Sequence, residues 1–271
     1  MKLKKLTRLD KAVACLLLMV MAVQMAAPQF VIFFQTLNHL FSFVEAQVWI
    51  NITVLGDTLV LLCLMAPLLA YRPQWVYGFI AAIPLGGLLS SVLKKLFNAP
   101  RPGDLLTLSD YHALSDVLTG HSFPSGHCIT AFAMASVIWA CLRNEEKNAA
   151  HLWIKTTVLS VALLIGCSRV ALGVHWPIDV IAGACVGWMA GLSGFMLMHL
   201  FSQFWQLTTV KWTVMFSLLC IAFFLHIRTQ ATPFGQFSIY FSLISVAYAL
   251  WTLSSVALKK GSTRTKSLSS N

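Results

Sequence analysis

The chain has 271 residues, of which 58% are hydrophobic and only 10% charged, with a mean hydropathy of +0.77 and a formal net charge of +10. Charged residues make up about 25% of a soluble domain, so this composition excludes that class and implies an integral membrane protein. Its basic residues flank apolar runs and form no separate basic domain, which argues against a nucleic-acid role.

From Met1 to Lys11 the chain carries Lys2, Lys4, Lys5, Arg8 and Lys11, and an apolar run from Ala12 to Phe34 follows. Ala-x-Ala-like residues at Met25 to Ala27 would suit a cleaved signal peptide, but the apolar run continues past them, which favours a retained first span. Further spans are predicted at 48–70, 75–93, 123–142, 154–172, 178–200, 212–227 and 236–257, each near the roughly 20 residues that cross a bilayer. With the N-terminus in the cytoplasm, fourteen of the nineteen Lys and Arg residues fall on the cytoplasmic side. The positive-inside rule then places both termini there. Left on the outer side are Lys94, Lys95, Arg101, Arg169 and Arg228, which orientation statistics disfavour.

Three stretches give those cations a reason to be outside. The third span ends in Lys94-Lys95-Leu96-Phe97-Asn98-Ala99-Pro100-Arg101-Pro102-Gly103, where the prolines and glycine stop the helix and turn the chain. Lysines here also suit the carbonyl end of a helix. A polar loop from Lys95 to Ser122, with His112, Asp116 and His121, closes in Phe123-Pro124-Ser125-Gly126-His127. Ser125 fits an N-cap there, ahead of amides able to hold an anion, and His127 in the first turn can give up a proton. Between the fifth and sixth spans lies Ser168-Arg169-Val-Ala-Leu-Gly173-Val-His175-Trp176-Pro177-Ile-Asp179. Pro177 fits the first turn of a helix, so that His175 enters it and meets Asp179 four residues on. A carboxylate on one ring nitrogen leaves the other free as nucleophile or base. Taken alone, the stretch fits an interfacial loop with an ordinary histidine equally well.

Other features have plainer readings. Gly183, Gly187 and Gly191 form a small-residue stripe for helix packing. Asp57 in the second span either supports the site from below or is a hydrogen-bonded structural carboxylate. Asn51-Ile52-Thr53 matches a glycosylation acceptor by chance at the mouth of a span. Cys15, Cys63, Cys128, Cys141, Cys167, Cys185 and Cys220 show no paired or zinc-like spacing and read as packing residues.

All three motif groups fall on one face in the topology set by charge. Three cations, helix-start amides, two histidines and a carboxylate suit a tetrahedral oxyanion without a metal, which is most of what phosphoryl transfer requires. Lys94-(x6)-Arg101-Pro102, Pro124-Ser125-Gly126-His127 and Ser168-Arg169-(x5)-His175-(x3)-Asp179 together resemble the three-part signature of the type 2 phosphatidic acid phosphatase superfamily, which includes vanadium haloperoxidases. The resemblance covers 94–179 and the surrounding helices. It implies that His175 attacks phosphorus to give a phosphohistidine, that Asp179 orients it, and that His127 protonates the leaving group. Lys94, Arg101, Ser125, Gly126 and Arg169 would bind the phosphoryl oxygens, with no metal and no cofactor.

The expected architecture is thus an all-α, polytopic transmembrane bundle: a cytoplasmic N-terminus (1–11), a phosphatase core (12–200) with outer-face loops 94–127 and 168–179, an additional helix pair (201–258) and a basic cytoplasmic tail (259–271). The two additional helices depart from the six-helix core usual in membrane members of that superfamily. The expected setting is a bacterial inner membrane with a periplasmic site. Substrate candidates are undecaprenyl diphosphate, phosphatidylglycerol phosphate, phosphatidic acid and lipid A phosphates. Partners beyond these and membrane lipids are not indicated. A lipid phosphotransferase sharing the intermediate, and more remotely an anion transporter or channel, are the competing readings.

Overall fold

The computed structural model describes residues 7–26, 31–113, 118–143, 149–229 and 240–255, and its regular structure there is entirely helical. Helices α1 (Arg8–Ala26) and α2 (Val31–Phe41) are followed by α3 (Ala46–Val54), α4 (Thr58–Leu64) and α5 (Leu68–Tyr71). Next come α6 (Pro73–Phe97), the single turn α7 (Pro102–Leu105), α8 (Gly126–Cys141), α9 (Ala149–Ala171) and α10 (Pro177–Leu200). A short α11 (Ser202–Gln206), α12 (Thr208–Thr229) and a last helix, α13 (240–255), complete the order. Among the described residues, four segments are long and apolar enough to cross a membrane, Pro73–Leu105, Ala149–Ala171, Pro177–Leu200 and Thr208–Ile227, and the bent pair α3 and α4 supplies a fifth if it is one span. The chain is a multi-pass membrane protein. Its exposed Leu88, Leu163, Ile181 and Phe216 suit a lipid-facing surface.

Helix α10 is the central one, packed against α8, α6, α1 and α9. The glycine stripe explains how closely α8 approaches. A Cβ at Gly183, Gly187 or Gly191 would collide with the backbone carbonyl oxygens of Ser125, Ile129 and Ala133 in turn, so the two helices meet backbone to backbone. At one end of this pair, Asp10 at the start of α1 accepts from Arg143 Nη2 at 3.1 Å and from Trp188 Nε1 at 3.3 Å. The start of α8, about 24 Å away for a 16-residue helix, holds the motif residues.

The apolar runs are organised differently from the sequence expectation in two places. The run 12–34 is not one helix: α1 ends at Ala26 and α2 begins at Val31, and the 11-residue α2 is too short to cross. The run 48–70 breaks into α3, α4 and α5, with a bend of 74° between α3 and α4. Gly56 and Asp57 form that break, and Asp57 Oδ1 caps α4 by accepting from the N–H groups of Leu59 and Val60 at 2.9 and 3.2 Å. Helices α12 and α13 pack on α4 and α5 through Cys63, Met215, Leu218, Val246 and Ala249, away from the motif residues. The expected first residues up to Leu6, Asp116 and the basic tail 259–271 lie outside the described residues.

Candidate active site

The turn from α9 into α10 sets the geometry. Gly173 has φ +75°, a conformation open to glycine, and the Tyr111 ring fills the place a side chain would take. Pro177 occupies the first helical position, where its missing N–H costs nothing. Asp179 Oδ2 then accepts from the Trp176 N–H at 2.9 Å, capping the helix. His175 does not enter α10 as expected; it precedes the capping residue, yet its Nδ1 still lies 3.3 Å from Asp179 Oδ2. With Nδ1–H directed at the carboxylate, Nε2 carries the lone pair. Only 2% of His175 is exposed. Burial, then the positive charges of Arg169, Arg101 and Lys94 and the His127 ring, hold its pKa well below the ordinary 6.5. The imidazole is therefore neutral at physiological pH, with a lone pair available on Nε2.

The start of α8 is joined to the same turn. The Ser125 N–H donates to the Asp179 carbonyl at 3.0 Å. Ser125 is the N-cap residue by position, but its hydroxyl makes no capping bond and is buried without a hydrogen-bond partner. Helix geometry leaves the N–H groups of Gly126, His127 and Cys128 without intrahelical acceptors. A side chain on Gly126 would meet nothing within 4 Å, so the glycine borders open space. The His127 ring packs over Gly56, where any side chain would collide with it.

Cations close the pocket. Lys94 Nζ and Arg101 Nη2 both donate to the His121 carbonyl, at 3.3 and 3.4 Å, and Arg101 Nη1 donates to the Val174 carbonyl at 2.9 Å, one residue before His175. Arg169, 6% exposed, donates from Nη1 to Thr53 Oγ1 at 2.6 Å. Lys95, in contrast, is exposed on the outer surface of α6. Arg101 Nε, Arg169 Nε, Ser125 Oγ and Asp179 Oδ1 are all buried with no hydrogen-bond partner, and among the described residues only Trp75 and Trp205 add to that set. An orphaned buried polar atom costs about 1–3 kcal/mol, and three possible donors and one acceptor gathered in one pocket mark a site built to be filled. Asp179 acts electrostatically on Lys94 and Arg101, and Asp104 adds to it at Arg101. Three cations gathered at one place suit an anion.

All eight residues expected from the sequence are thus drawn to one end of α8 and α10. Three further residues were not expected. Ser122 Oγ, fully buried, donates to Asp179 Oδ2 at 2.5 Å and lies 3.3 Å from His175 Nδ1. Thr53 anchors Arg169. Asn38 of α2 donates from Nδ2 to the carbonyls of His112, Val170 and Ala171, each at 3.1 Å, and accepts from the His112 N–H at 2.7 Å. Only Ser122 carried a signal, its place beside Pro124-Ser125-Gly126-His127; the partners of Thr53 and Asn38 are more than 70 residues distant.

A family model described as the PAP2 superfamily matches residues 75–206, the segment that carries every motif residue. Phosphatidylglycerophosphatase B of Bacillus subtilis is 33% identical over 156 residues, 52% of this chain and 71% of that protein. The chain belongs to the PAP2 superfamily. An undecaprenyl-diphosphatase of Sulfolobus acidocaldarius is 35% identical over 121 residues, 44% of this chain. That match spans only 51% of the Sulfolobus protein, so the chain covers about half the length of this relative. The crystal structure of Aquifex aeolicus LpxE superposes with a TM-score of 0.50 at 33% identity, covering 60% of this chain and 93% of that one. The PAP2 match stops at 206, so α12 and α13 lie beyond it.

Proposed function

We propose that the chain is a membrane phosphatase that hydrolyses a lipid phosphate or diphosphate through a phosphohistidine intermediate. The observation that carries this reading is the ring of unpartnered buried groups, Arg101 Nε, Arg169 Nε and Ser125 Oγ, around the His175–Asp179 pair. In the first step the lone pair on His175 Nε2 attacks phosphorus, the bond from phosphorus to the leaving oxygen breaks, and His127 protonates that oxygen. In the second, water attacks phosphorus, His127 takes its proton, the N–P bond breaks and inorganic phosphate leaves. Lys94, Arg101, Arg169, the Ser125 hydroxyl and the Gly126 amide hold the equatorial oxygens throughout. Asp179 keeps the proton on Nδ1 and offsets the charge that the ring acquires. Names of relatives support phosphate removal from a lipid, among them an undecaprenyl-diphosphatase, a phosphatidylglycerophosphatase and a lipid A 1-phosphatase.

The charge bias of the loops supports an orientation with both termini in the cytoplasm and the site at the periplasmic face of a bacterial inner membrane. The core of this activity is 12–200, with the pair after residue 201 an addition to it. Purified protein should release inorganic phosphate from a lipid phosphate with no added acceptor. Release only when an acceptor alcohol is present would make it a phosphotransferase, and anion binding without any release would make it a carrier.

A further inference from the structure

A cavity of about 300 Å³ opens beside His127 between α4, α6 and α8. Phe79, Ile83 and Ala133 supply apolar wall, while Asp57, Thr58 and Thr130 add polar groups on one side. Thr58 Oγ1 and Thr130 Oγ1 are bonded to each other at 2.7 Å, and Asp57 is the carboxylate among the residues of the wall. Its Oδ1 is engaged in capping α4. Gly56, the preceding residue, packs against His127, and the 74° break of the second apolar run sets Asp57 in the wall of the same cavity that His127 lines. Nothing in the proposed cycle uses it.

Resting on the phosphatase reading above, we infer that this cavity receives the leaving group and that Asp57 makes the enzyme select phosphomonoesters of uncharged lipid alcohols over lipid diphosphates. The donor at the scissile oxygen is His127, and the space lined by His127 lies on the side where that oxygen departs. A monoester releases a neutral alcohol into the cavity. A diphosphate releases a lipid monophosphate there, whose negative charge would come to rest against Asp57. The pocket cations offer no remedy, because Lys94, Arg101 and Arg169 are held by the His121 and Val174 carbonyls and by Thr53 around the transferred group. Like charges in a partly buried site of low effective dielectric repel strongly. Asp57 thereby acts on specificity by exclusion as well as by fit.

The test compares farnesyl monophosphate with farnesyl diphosphate, which share a tail and differ in leaving-group charge. Phosphate release is measured from wild type and Asp57→Asn in detergent. Asparagine keeps an N-cap acceptor for the Leu59 and Val60 amides, so folding of α4 is retained while the charge is lost. Wild type should show kcat/KM for the monophosphate at least about tenfold above the diphosphate, the scale of repulsion between unit charges roughly 10 Å apart at an effective dielectric constant near 20. Asp57→Asn should shrink that ratio by about tenfold. A wild type that prefers the diphosphate, or a ratio unmoved by the substitution, overturns the inference while leaving a working phosphatase. Failure of the wild type to release phosphate from either compound, or from phosphatidylglycerol phosphate, removes the phosphatase reading itself. Should Asp57→Asn not fold, Asp57→Ser, which also keeps an N-cap acceptor and removes the charge, supplies the same comparison.

Discussion

Replacing Ser122 with alanine tests how the His175–Asp179 pair is held. Asp179 Oδ2 accepts from Ser122 Oγ at 2.5 Å, from the Trp176 N–H at 2.9 Å and from His175 Nδ1 at 3.3 Å. The serine bond is the shortest of the three, and Asp179 Oδ1 has no partner to compensate. A hydrogen bond to a charged group contributes about 1.5–3 kcal/mol, and about 1.4 kcal/mol is a factor of ten in rate. Complete loss in the transition state would therefore slow turnover roughly 10- to 150-fold. Trp176 remains on Oδ2 and the histidine bond can tighten, so the lower part of that range applies, about 10- to 30-fold in kcat. Ser122 touches the carboxylate and the back of the imidazole, not the substrate, so KM should move by less than about threefold. The assay is steady-state phosphate release by detergent-solubilised protein, with a thermal melt to establish that the variant is folded. A kcat within twofold of wild type, or a loss expressed wholly in KM, refutes the reasoning.

His175→Ala should lower turnover by about a thousandfold or more, because no covalent intermediate forms without the nucleophile; a folded variant with wild-type activity excludes the proposed mechanism. His127→Ala should slow release of the leaving group by about 10²–10⁴-fold, measured as phosphate release, and an unchanged rate removes it as the acid. Vanadate, which mimics five-coordinate phosphorus, should inhibit at low concentration and EDTA should not; activity lost in EDTA and restored by a divalent cation contradicts the assignment. For pH, the depressed pKa of His175 means that below about 6.5 the unfolded chain binds a proton that the folded chain refuses. Stability from this residue is present above that pH and declines as pH falls below it, so melting temperature should be lower at pH 5 than at pH 7.5. A melting temperature that rises on acidification would mean that His175 is protonated in the fold.

The motif residues were legible because each carries its chemistry in its type and its position beside a helix end. Pro177 fixed where α10 starts, and the four-residue spacing brought His175 to Asp179 although the histidine stands outside the helix. The glycine stripe was equally readable, since a repeat of four on an apolar helix has few other uses. Hydropathy could not reveal the broken second span. Residues 48–70 are apolar almost throughout, and the break at Gly56 and Asp57 depends on packing against His127 and Ile165 from distant helices. The same reason hid Thr53 and Asn38, whose hydrogen bonds close only once the bundle has formed. Thr53 sat instead in a glycosylation-like triplet, a local pattern that says nothing about its bond to Arg169.

The clasp of Ser125 on the first turn of α10 has a bearing on biosynthesis. The amide of Ser125 finds its acceptor in Asp179, 54 positions later, and Asp179 in turn holds Ser122 and His175. While the ribosome is still delivering α9, the cations at 94 and 101 and the hydroxyl at 125 have nothing to gather around. The pocket is complete only once α10 is packed against α8 along its glycines. Until then the residues of the proposed site are separate groups on separate segments of the nascent chain.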